Sequence, residues 1–408
     1  MPELTRRVYS LAAPVVDKEV EVKRALAIFR VHTGAGEYAP LLSETLQNFL
    51  RVFNAKVSVS CASAALTEHP DAQFGMLDYI ELHRGEKVGF MPGVTSVTQV
   101  TDVTRDPDAD VHSDIAMTSA IELLNLLGCG VASSFKLFPV YDAPSEEILD
   151  RIRSNLDVFT SRYNLAMEDY SSLKMNKLFY GTTAMASTMK ELPTRYDQVE
   201  EGMEIMITNK FGGLPAMSLY TLARMDSENI IKYEQNGVPF ADITEARDEA
   251  VKNLSEPHFV LGKLIAKYCP DFGAPFDKSI HITAVHPVGP RGVFALGLLA
   301  ELTNSHLLIN ELPVRNPELA KFATKEFLVE NATASMNGCH LIVATREAAN
   351  LITEDLKKHN FVPERIGIVA KKGAASVAFT QDPSQFVASK AKLARLTAPT
   401  SAPQPAAT

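Results

Sequence analysis

The sequence contains few cysteines, no long apolar run and no excess of basic charge. Four cysteines are spread over 408 residues without a CxxC pair, a usage that favours buried, reduced thiols over disulfides or zinc ligands. Each apolar run is shorter than the roughly 18 residues that a membrane-spanning helix requires, and the N-terminus has no apolar segment of signal-peptide type. We therefore expect a cytoplasmic protein without a membrane span.

The charge balance argues against nucleic acid as a partner. The net charge is −9, and arginines interleaved with aromatic residues form no basic stripe, so we expect no binding of nucleic acid. Hydrophobic residues make up 46% of the chain and charged residues 22%, as in ordinary globular proteins. The length is sufficient for two domains that each bury a core.

A glycine-containing loop follows the first helical pattern. Apolar residues at helical spacing predict a helix over 17–31, and the loop HTGAGEYAP occupies 32–40 before a second amphipathic helix. Gly34 and Gly36 in this loop are candidates for a phosphate or substrate contact. A plain turn between two helices is the alternative.

The next part of the chain predicts strands and two capped helices. Period-two runs between 56 and 103 predict several neighbouring strands. A helix over 113–128 has Ser113 as its expected N-cap, and a helix over 143–163 has Ser145 as its N-cap with acidic residues in the first turn. A mixed unit of sheet and helices follows from this order.

A strand-to-helix turn opens the second half of the chain. The apolar strand is followed by Lys210, Gly212 and Gly213, and Pro215 suits the first turn of the next helix. Lys210 and the two glycines are candidates for binding a phosphate. Because the pattern is not GxxxxGK[ST], a surface lysine on an ordinary turn is the alternative.

A second glycine-rich turn precedes a helix and a strand over Gly292–Val314. The stretch HPVGPRG places Arg291 and Gly292 at a helix N-terminus, where amides and the helix dipole favour an anion. A purely structural turn is the alternative for these two residues.

An acidic run lies before the helix at 113–128. It includes Asp102, Asp106 and Asp110, whose carboxylates at alternate positions are candidates for one metal site. Since the spacing matches no fixed metal motif, a solvated loop is the alternative.

The patterns predict two domains and a tail. We place an N-terminal α+β domain at 1–192 and a C-terminal α/β domain at 193–382. Residues 383–408 are rich in Ala, Pro, Ser and Thr, a composition that predicts a disordered tail.

The order of these elements resembles the PurM-like superfamily, which joins selenophosphate synthetases with aminoimidazole ribonucleotide synthetases, thiamine-phosphate kinases and hydrogenase-maturation dehydratases. The loop HTGAGEYAPLLSETL is similar in position and spacing to the Gly-rich loop of selenophosphate synthetases, the members that this chain resembles most. The other matching stretches are EEGMEIMITNKFGG, GVFALGLLAEL, ELPV and MNGCHLIVATREAANLITEDLKKHNFVPERIGIVAKKG.

The resemblance implies a fold, ligands and an assembly. It implies two α+β domains, a homodimer whose N-terminal domains pair into a β-barrel, and ATP with Mg²⁺ as ligands. In that family aspartates hold the cations that bind the ATP phosphates, and their positions fall near Gln99, Leu123 and Gly292, none of which is acidic.

Two functions are consistent with these observations. One is a selenide, water dikinase-like phosphotransferase that uses ATP and a small acceptor. The other is a catalytically inactive homologue that serves as a binding, scaffold or regulatory subunit, because phosphoryl transfer depends on charge neutralisation by cations, and the acids that would hold those cations are missing.

Overall fold

The chain forms two compact units. The computed structural model describes residues 8–10, 56–60, 77–83, 90–98, 108–169, 179–271, 273–326 and 329–397. The predicted site residues Gly34, Gly36, Asp102 and Asp106 lie outside these ranges. The N-terminal unit contains the described residues up to Leu192 together with Leu254–Pro275, and the C-terminal unit contains Pro193–Asn253 and the described residues from Phe276 onwards.

Ten α-helices lie within the described ranges, and none of them is both long and apolar enough to cross a membrane. They are α1 (Asp110–Leu126), α2 (Glu146–Tyr163), α3 (Leu214–Met225), α4 (Glu228–Gln235), α5 (Phe240–Ser255), α6 (Phe259–Lys267), α7 (Ala295–Thr303), α8 (Pro317–Lys325), α9 (Arg346–Lys358) and α10 (Lys390–Thr397).

A seven-stranded sheet with the order β1-β2-β3-β4-β7-β5-β6 carries the N-terminal unit. Its strands are β1 (Val8–Ser10), β2 (Lys56–Ser60), β3 (Leu77–His83), β4 (Phe90–Thr98), β5 (Lys136–Asp142), β6 (Ala166–Met167) and β7 (Phe179–Met185). Neighbouring strands are antiparallel except β5 and β6, which are parallel. The strands predicted between 56 and 103 are confirmed as β2, β3 and β4.

Helix α1 packs on β4 and β7 of this sheet, and all but three of its 17 residues are buried. It begins at Asp110, whose Oδ1 accepts a hydrogen bond of 2.8 Å from the N–H of Val111, and a negative charge suits a helix start. The expectation that Ser113 caps this helix is wrong, since Ser113 is a buried residue inside it.

Helix α2 begins where the sequence predicts. The Ser145 hydroxyl accepts a hydrogen bond from the N–H of Ile148 at 3.4 Å, and Asn164 ends the helix in the left-handed conformation with φ 53°. One face of α2 is buried in the N-terminal core through Leu149, Ile152, Leu156 and Phe159.

Helix α6 belongs to the N-terminal unit although it follows α5 in the chain. It packs against α1, and Phe259 meets Phe135 edge-on with ring centroids 5.3 Å apart. A Cβ atom on Gly130 would lie 2.1 Å from the backbone N of Lys263, so the two backbones meet without an intervening side chain. The predicted domain 193–382 included this segment, and its sequence pattern did not reveal that it packs on the first sheet.

A six-stranded sheet with the order β13-β10-β12-β8-β11-β9 carries the C-terminal unit. Its strands are β8 (Glu204–Ile207), β9 (Ala284–Pro287), β10 (Ser305–Ile309), β11 (His340–Ala344), β12 (Glu364–Lys372) and β13 (Ser376–Phe379). Only β10 and β13 are a parallel pair among these neighbours. The helix-then-strand prediction over Gly292–Val314 is confirmed by α7 and β10.

The C-terminal core extends into the segment predicted to be a disordered tail. Helix α10 buries Leu393 and Leu396, and both side chains join the cluster that contains Leu296 and Leu299 of α7. Phe386 and Val387, just before α10, are buried in the same cluster. Residues 383–397 are therefore part of the folded unit, because apolar residues at helical spacing outweigh the low-complexity composition.

The described cysteines agree with the expectation of unbridged thiols. Cys129, Cys269 and Cys339 are buried and form no disulfide, whereas Cys61 lies outside the described residues. Burial raises the pKa of Cys339 to about 12, so this thiol is protonated and unreactive at neutral pH.

We expect Leu396→Ala to lower the free energy of unfolding by about 2 kcal/mol, because it removes a buried side chain from a packed core. Arg395→Ala on the exposed side of α10 is the matched control and should change stability by less than about 0.5 kcal/mol. Denaturant unfolding measures both values. Equal stabilities of the two variants would contradict the docking of α10.

Candidate functional site

Three loops meet at one edge of the C-terminal sheet. Strands β8 and β9 both lie antiparallel to β11, with Leu341 opposite Ile207 on one side and opposite His286 on the other. The ends of β8 and β9 and the start of β11 therefore share an edge. The 209–213 turn, the 288–292 turn and the 331–336 loop lie there, so the structure brings Lys210, Gly212, Gly213, Arg291 and Gly292 to the same edge.

Asn209 organises the 209–213 turn. Its Oδ1 accepts hydrogen bonds from the N–H of Lys210 at 3.2 Å and from Nη2 of Arg315 at 3.1 Å. Its backbone carbonyl lies 3.2 Å from Sγ of Cys339, which donates to it. The turn is thus held by a side chain at its own first residue, while the Lys210 side chain is half-exposed.

Several amides of this turn donate to acceptors within the protein itself. The N–H of Gly212 donates to the carbonyl of Thr333 at 3.1 Å and to Oγ of Ser335 at 3.0 Å. The N–H of Leu214, at the start of α3, donates to the carbonyl of Ala334 at 3.3 Å. A phosphate that used these amides would have to displace the 331–336 loop, so Lys210 contributes a charge here without the amide cradle of a phosphate-binding loop.

The 288–292 turn is fixed by the same loop. Gly292 has φ 54° and ψ −130°, and a Cβ atom there would lie 2.3 Å from Oγ1 and 2.4 Å from the carbonyl carbon of Thr333. The Thr333 hydroxyl accepts a hydrogen bond of 2.8 Å from the N–H of Val293. Position 292 therefore has no room for an aspartate, the residue that the family resemblance associates with it.

Arg291 is half-buried beside a buried histidine. Its carbonyl accepts a hydrogen bond of 2.9 Å from Nδ2 of Asn331. Burial, together with the charges of Arg291 and His340, lowers the pKa of His286 to about 3. His286 is consequently neutral near pH 7, and the positive charge of this turn belongs to Arg291.

The second position assigned to an acid, Leu123, lies on α1 of the N-terminal unit and packs half-buried against that unit's core. The adjacent Glu122 is an acid, but its side chain is 3% exposed. Its Oε1 accepts the N–H of His258 at 2.6 Å and Nδ2 of Asn125 at 3.2 Å, and lies 3.0 Å from Nδ1 of His258. This carboxylate connects α1 to the segment before α6, so it is committed to structure.

The predicted metal ligands are only partly described. Asp110 is exposed at the start of α1, where its Oδ1 accepts a hydrogen bond from the N–H of Val111, whereas Gln99, Asp102 and Asp106 lie outside the described residues. Within the ranges that the structure covers, His, Cys, Asp and Glu form no group of three or more that could hold a metal ion.

Sequence reasoning missed the polar residues that support the two turns. Asn331, Thr333 and Ser335 alternate along the 331–336 loop, and this period of two in the letters NATASM is a signal that small hydroxyl and amide groups face one side. Arg315 and its partner Glu249 carry no comparable signal, because they are distant in sequence from the turn that they hold.

Comparison of the structure with solved structures identifies proteins with a similar fold. No protein-family model matches the chain, and no curated protein sequence matches it. Thiamine monophosphate kinase from Aquifex aeolicus is similar in structure, with a TM-score of 0.50 and 14% identity over 72% of this chain and 88% of that protein. AaThiL complexed with AMPPCP and TMP has a TM-score of 0.51 and 14% identity over 74% and 86%.

The chain has the fold of thiamine monophosphate kinase. The mixed α/β fold that the resemblance implies is therefore confirmed, whereas the pairing of the N-terminal domains into a β-barrel stays a prediction. Hydrogenase maturation protein HypE in complex with ATP is also similar, with a TM-score of 0.49 and 15% identity over 71% of this chain and 82% of that protein.

We expect Gly292→Ala to reduce the free energy of unfolding by about 3 kcal/mol, because the new Cβ combines an unfavourable φ with overlap of Thr333. Gly289→Ala in the same turn is the matched control. Its φ is 49°, but a Cβ there meets nothing within 4 Å, so only strain of about 1 to 2 kcal/mol applies. Denaturant unfolding measures the loss of unfolding free energy in each variant, and equal losses in Gly292→Ala and Gly289→Ala would contradict the Gly292–Thr333 contact.

The Glu122–His258 pair should make stability depend on pH. Burial acts to lower the pKa of His258, but the charge and hydrogen bond of Glu122, aided by Glu256, outweigh burial and raise it above 6.5. A raised folded pKa gives stabilisation that is complete below pH 6.5 and is lost as pH rises through the folded pKa.

We therefore expect His258→Gln to lower the denaturant midpoint most at acidic pH, with the difference from wild type shrinking as pH increases. Asp114, whose pKa burial raises to about 6, titrates in both proteins, so its effect cancels in the comparison. A difference that is constant or grows with pH would exclude this role for His258.

Proposed function

We propose that this chain binds ATP. The observation that carries the proposal is the fold shared with AaThiL, whose structure is a complex with AMPPCP and TMP, the former an ATP analogue. The sequence resemblance to selenophosphate synthetases points to the same ligand. Within the C-terminal unit, Lys210 and Arg291 supply the positive charge that phosphates require, and Gly212, Gly213 and Gly292 are the close-approach positions that the resemblance suggests. The resemblance also suggests Gly34 and Gly36 as phosphate contacts, and these two glycines lie outside the described residues.

The described residues do not fit a magnesium site of the family type. Leu123 has no ligating group, Gly292 admits no side chain beside Thr333, and Glu122 is bonded to His258 and Asn125. Asp102, Asp106 and Asp110 remain the proposed ligands if a cation is bound. Among the described residues, the positive charge proposed to bind the ATP phosphates therefore comes from the side chains of Lys210 and Arg291, and not from a magnesium ion.

Phosphoryl transfer to a small acceptor is the enzymatic form of this proposal, in the manner of a selenide, water dikinase. A binding, scaffold or regulatory subunit is the second candidate. The steric exclusion of an acid at position 292 supports the second candidate, because such a position needs more than one substitution to recover a carboxylate. We further propose a cytoplasmic homodimer in which the N-terminal units form a barrel, as the resemblance implies.

Calorimetric titration with ATP, with and without Mg²⁺, tests the proposal. We expect binding that does not require Mg²⁺, and a loss of affinity of about tenfold in Lys210→Gln, since one charge-assisted contact contributes about 1.5 kcal/mol. Lys371→Gln, an exposed lysine on β12, is the matched control and should bind as wild type does. Failure to bind ATP in either condition would refute the proposal.

The same preparation separates the two candidate functions. Mg²⁺-dependent ATP hydrolysis that is abolished by Asp106→Asn or Asp110→Asn would support the phosphotransferase and exclude the inactive homologue. ATP binding without hydrolysis, unchanged in both aspartate variants, would support the binding subunit.

A further inference from the structure

We propose that Arg315 is a positioning residue for ATP binding, which holds the 209–213 turn in the shape that presents Lys210. This inference rests on the proposed function. Arg315 touches no phosphate in the proposal and acts through Asn209. The guanidinium bridges two separate elements of the C-terminal unit, because Nη1 pairs with Oε1 of Glu249 on α5 and Nη2 donates to Oδ1 of Asn209.

The backbone of the turn is tied to the same residue. The N–H of Arg315 donates to the carbonyl of Phe211 at 2.8 Å, and the N–H of Phe211 donates to the carbonyl of Pro313 at 3.0 Å. Phe211 and Val314 form a parallel bridge. Main-chain and side-chain contacts of Arg315 therefore act on adjacent residues on either side of Lys210.

The guanidinium is held in place by its surroundings. Its side chain is 18% exposed, compared with 42% for Glu249, so the arginine is the more buried member of the pair. An arginine fork reaches a carboxylate and an amide oxygen in fixed directions at the same time, whereas a lysine ammonium is a single point at the end of a flexible chain. The bridge between α5 and the turn is thus specific to arginine.

The arrangement of Arg315 and Asn209 positions Lys210. Asn209 Oδ1 accepts both the Lys210 N–H and the Arg315 guanidinium, so removal of the guanidinium removes one of the two hydrogen bonds that orient this amide side chain. In the part of the chain that the structure describes, Lys210 has no ion-pair partner of its own. Its charge is therefore available to an anion, and its position is set by the backbone of the turn.

A double-mutant cycle with two ligands tests the inference. We expect Lys210→Met and Arg315→Met each to weaken ATP binding about tenfold, while adenosine, which has no phosphate, binds both variants as it binds wild type. Because Arg315 acts through Lys210, the double variant should bind ATP no more weakly than Lys210→Met alone. Arg315→Lys should not restore affinity.

Arg247→Met is the matched control, because Arg247 is also a buried arginine of the C-terminal unit, paired with Asp248 and stacked over Tyr220. It should bind ATP and adenosine as wild type does. If Arg315→Met does not fold, Asn209→Ala removes the same contact from the other side and should show the same ligand pattern.

The outcomes separate this inference from the proposed function. Additive losses in the double variant, or an equal loss for adenosine, would overturn the positioning role while leaving ATP binding in place. If wild type binds ATP and Arg315→Met binds it equally well, the positioning role is overturned and ATP binding stands. Failure of wild type to bind ATP would overturn the proposed function and, with it, this role of Arg315.

Discussion

The contact of Gly292 with Thr333 is the constraint on which the candidate site depends, at the edge of the C-terminal sheet where the 209–213 turn, the 288–292 turn and the 331–336 loop lie. Because position 292 carries no Cβ, the Thr333 backbone approaches it closely enough for the hydroxyl to accept the Val293 N–H. The following residues of the loop then reach the other turn, where Ser335 and the carbonyl of Thr333 accept the N–H of Gly212. One short loop therefore contacts both glycine turns and contributes to the conformation of each.

This arrangement changes the chemistry that the edge offers. Backbone amides at a helix start are ordinarily available to an anion, but here loop carbonyls and hydroxyls accept them. The half-exposed side chains of Lys210 and Arg291 carry the positive charge at this edge. The N–H of Lys210 donates to Asn209, so the position of the Lys210 backbone depends on the hydrogen bonds behind the turn.

Much of the fold could be predicted from local sequence patterns. Most of the residues that hold the turns of the candidate site in place could not. Alternation predicted the strands between 56 and 103, and Ser145 identified the start of α2, because these signals depend on neighbours in sequence. The burial of Leu396 and the return of α6 to the N-terminal core depend on partners far along the chain. The same holds for Arg315, which lies 66 residues from Glu249 and 106 from Asn209.

The distribution of charge bears on whether such a fold catalyses or only binds. Interactions made equally with substrate and transition state increase affinity without increasing the rate of the chemical step. Lys210 and Arg291 would meet the phosphates of bound ATP before any bond breaks, so on their own they favour binding. Acceleration needs a group that responds to charge developing in the transition state. Glu122 is bonded to His258, and Gly292 excludes a carboxylate, so the phosphotransferase that we propose as one candidate would need the acidic run of Asp102, Asp106 and Asp110 to hold a cation.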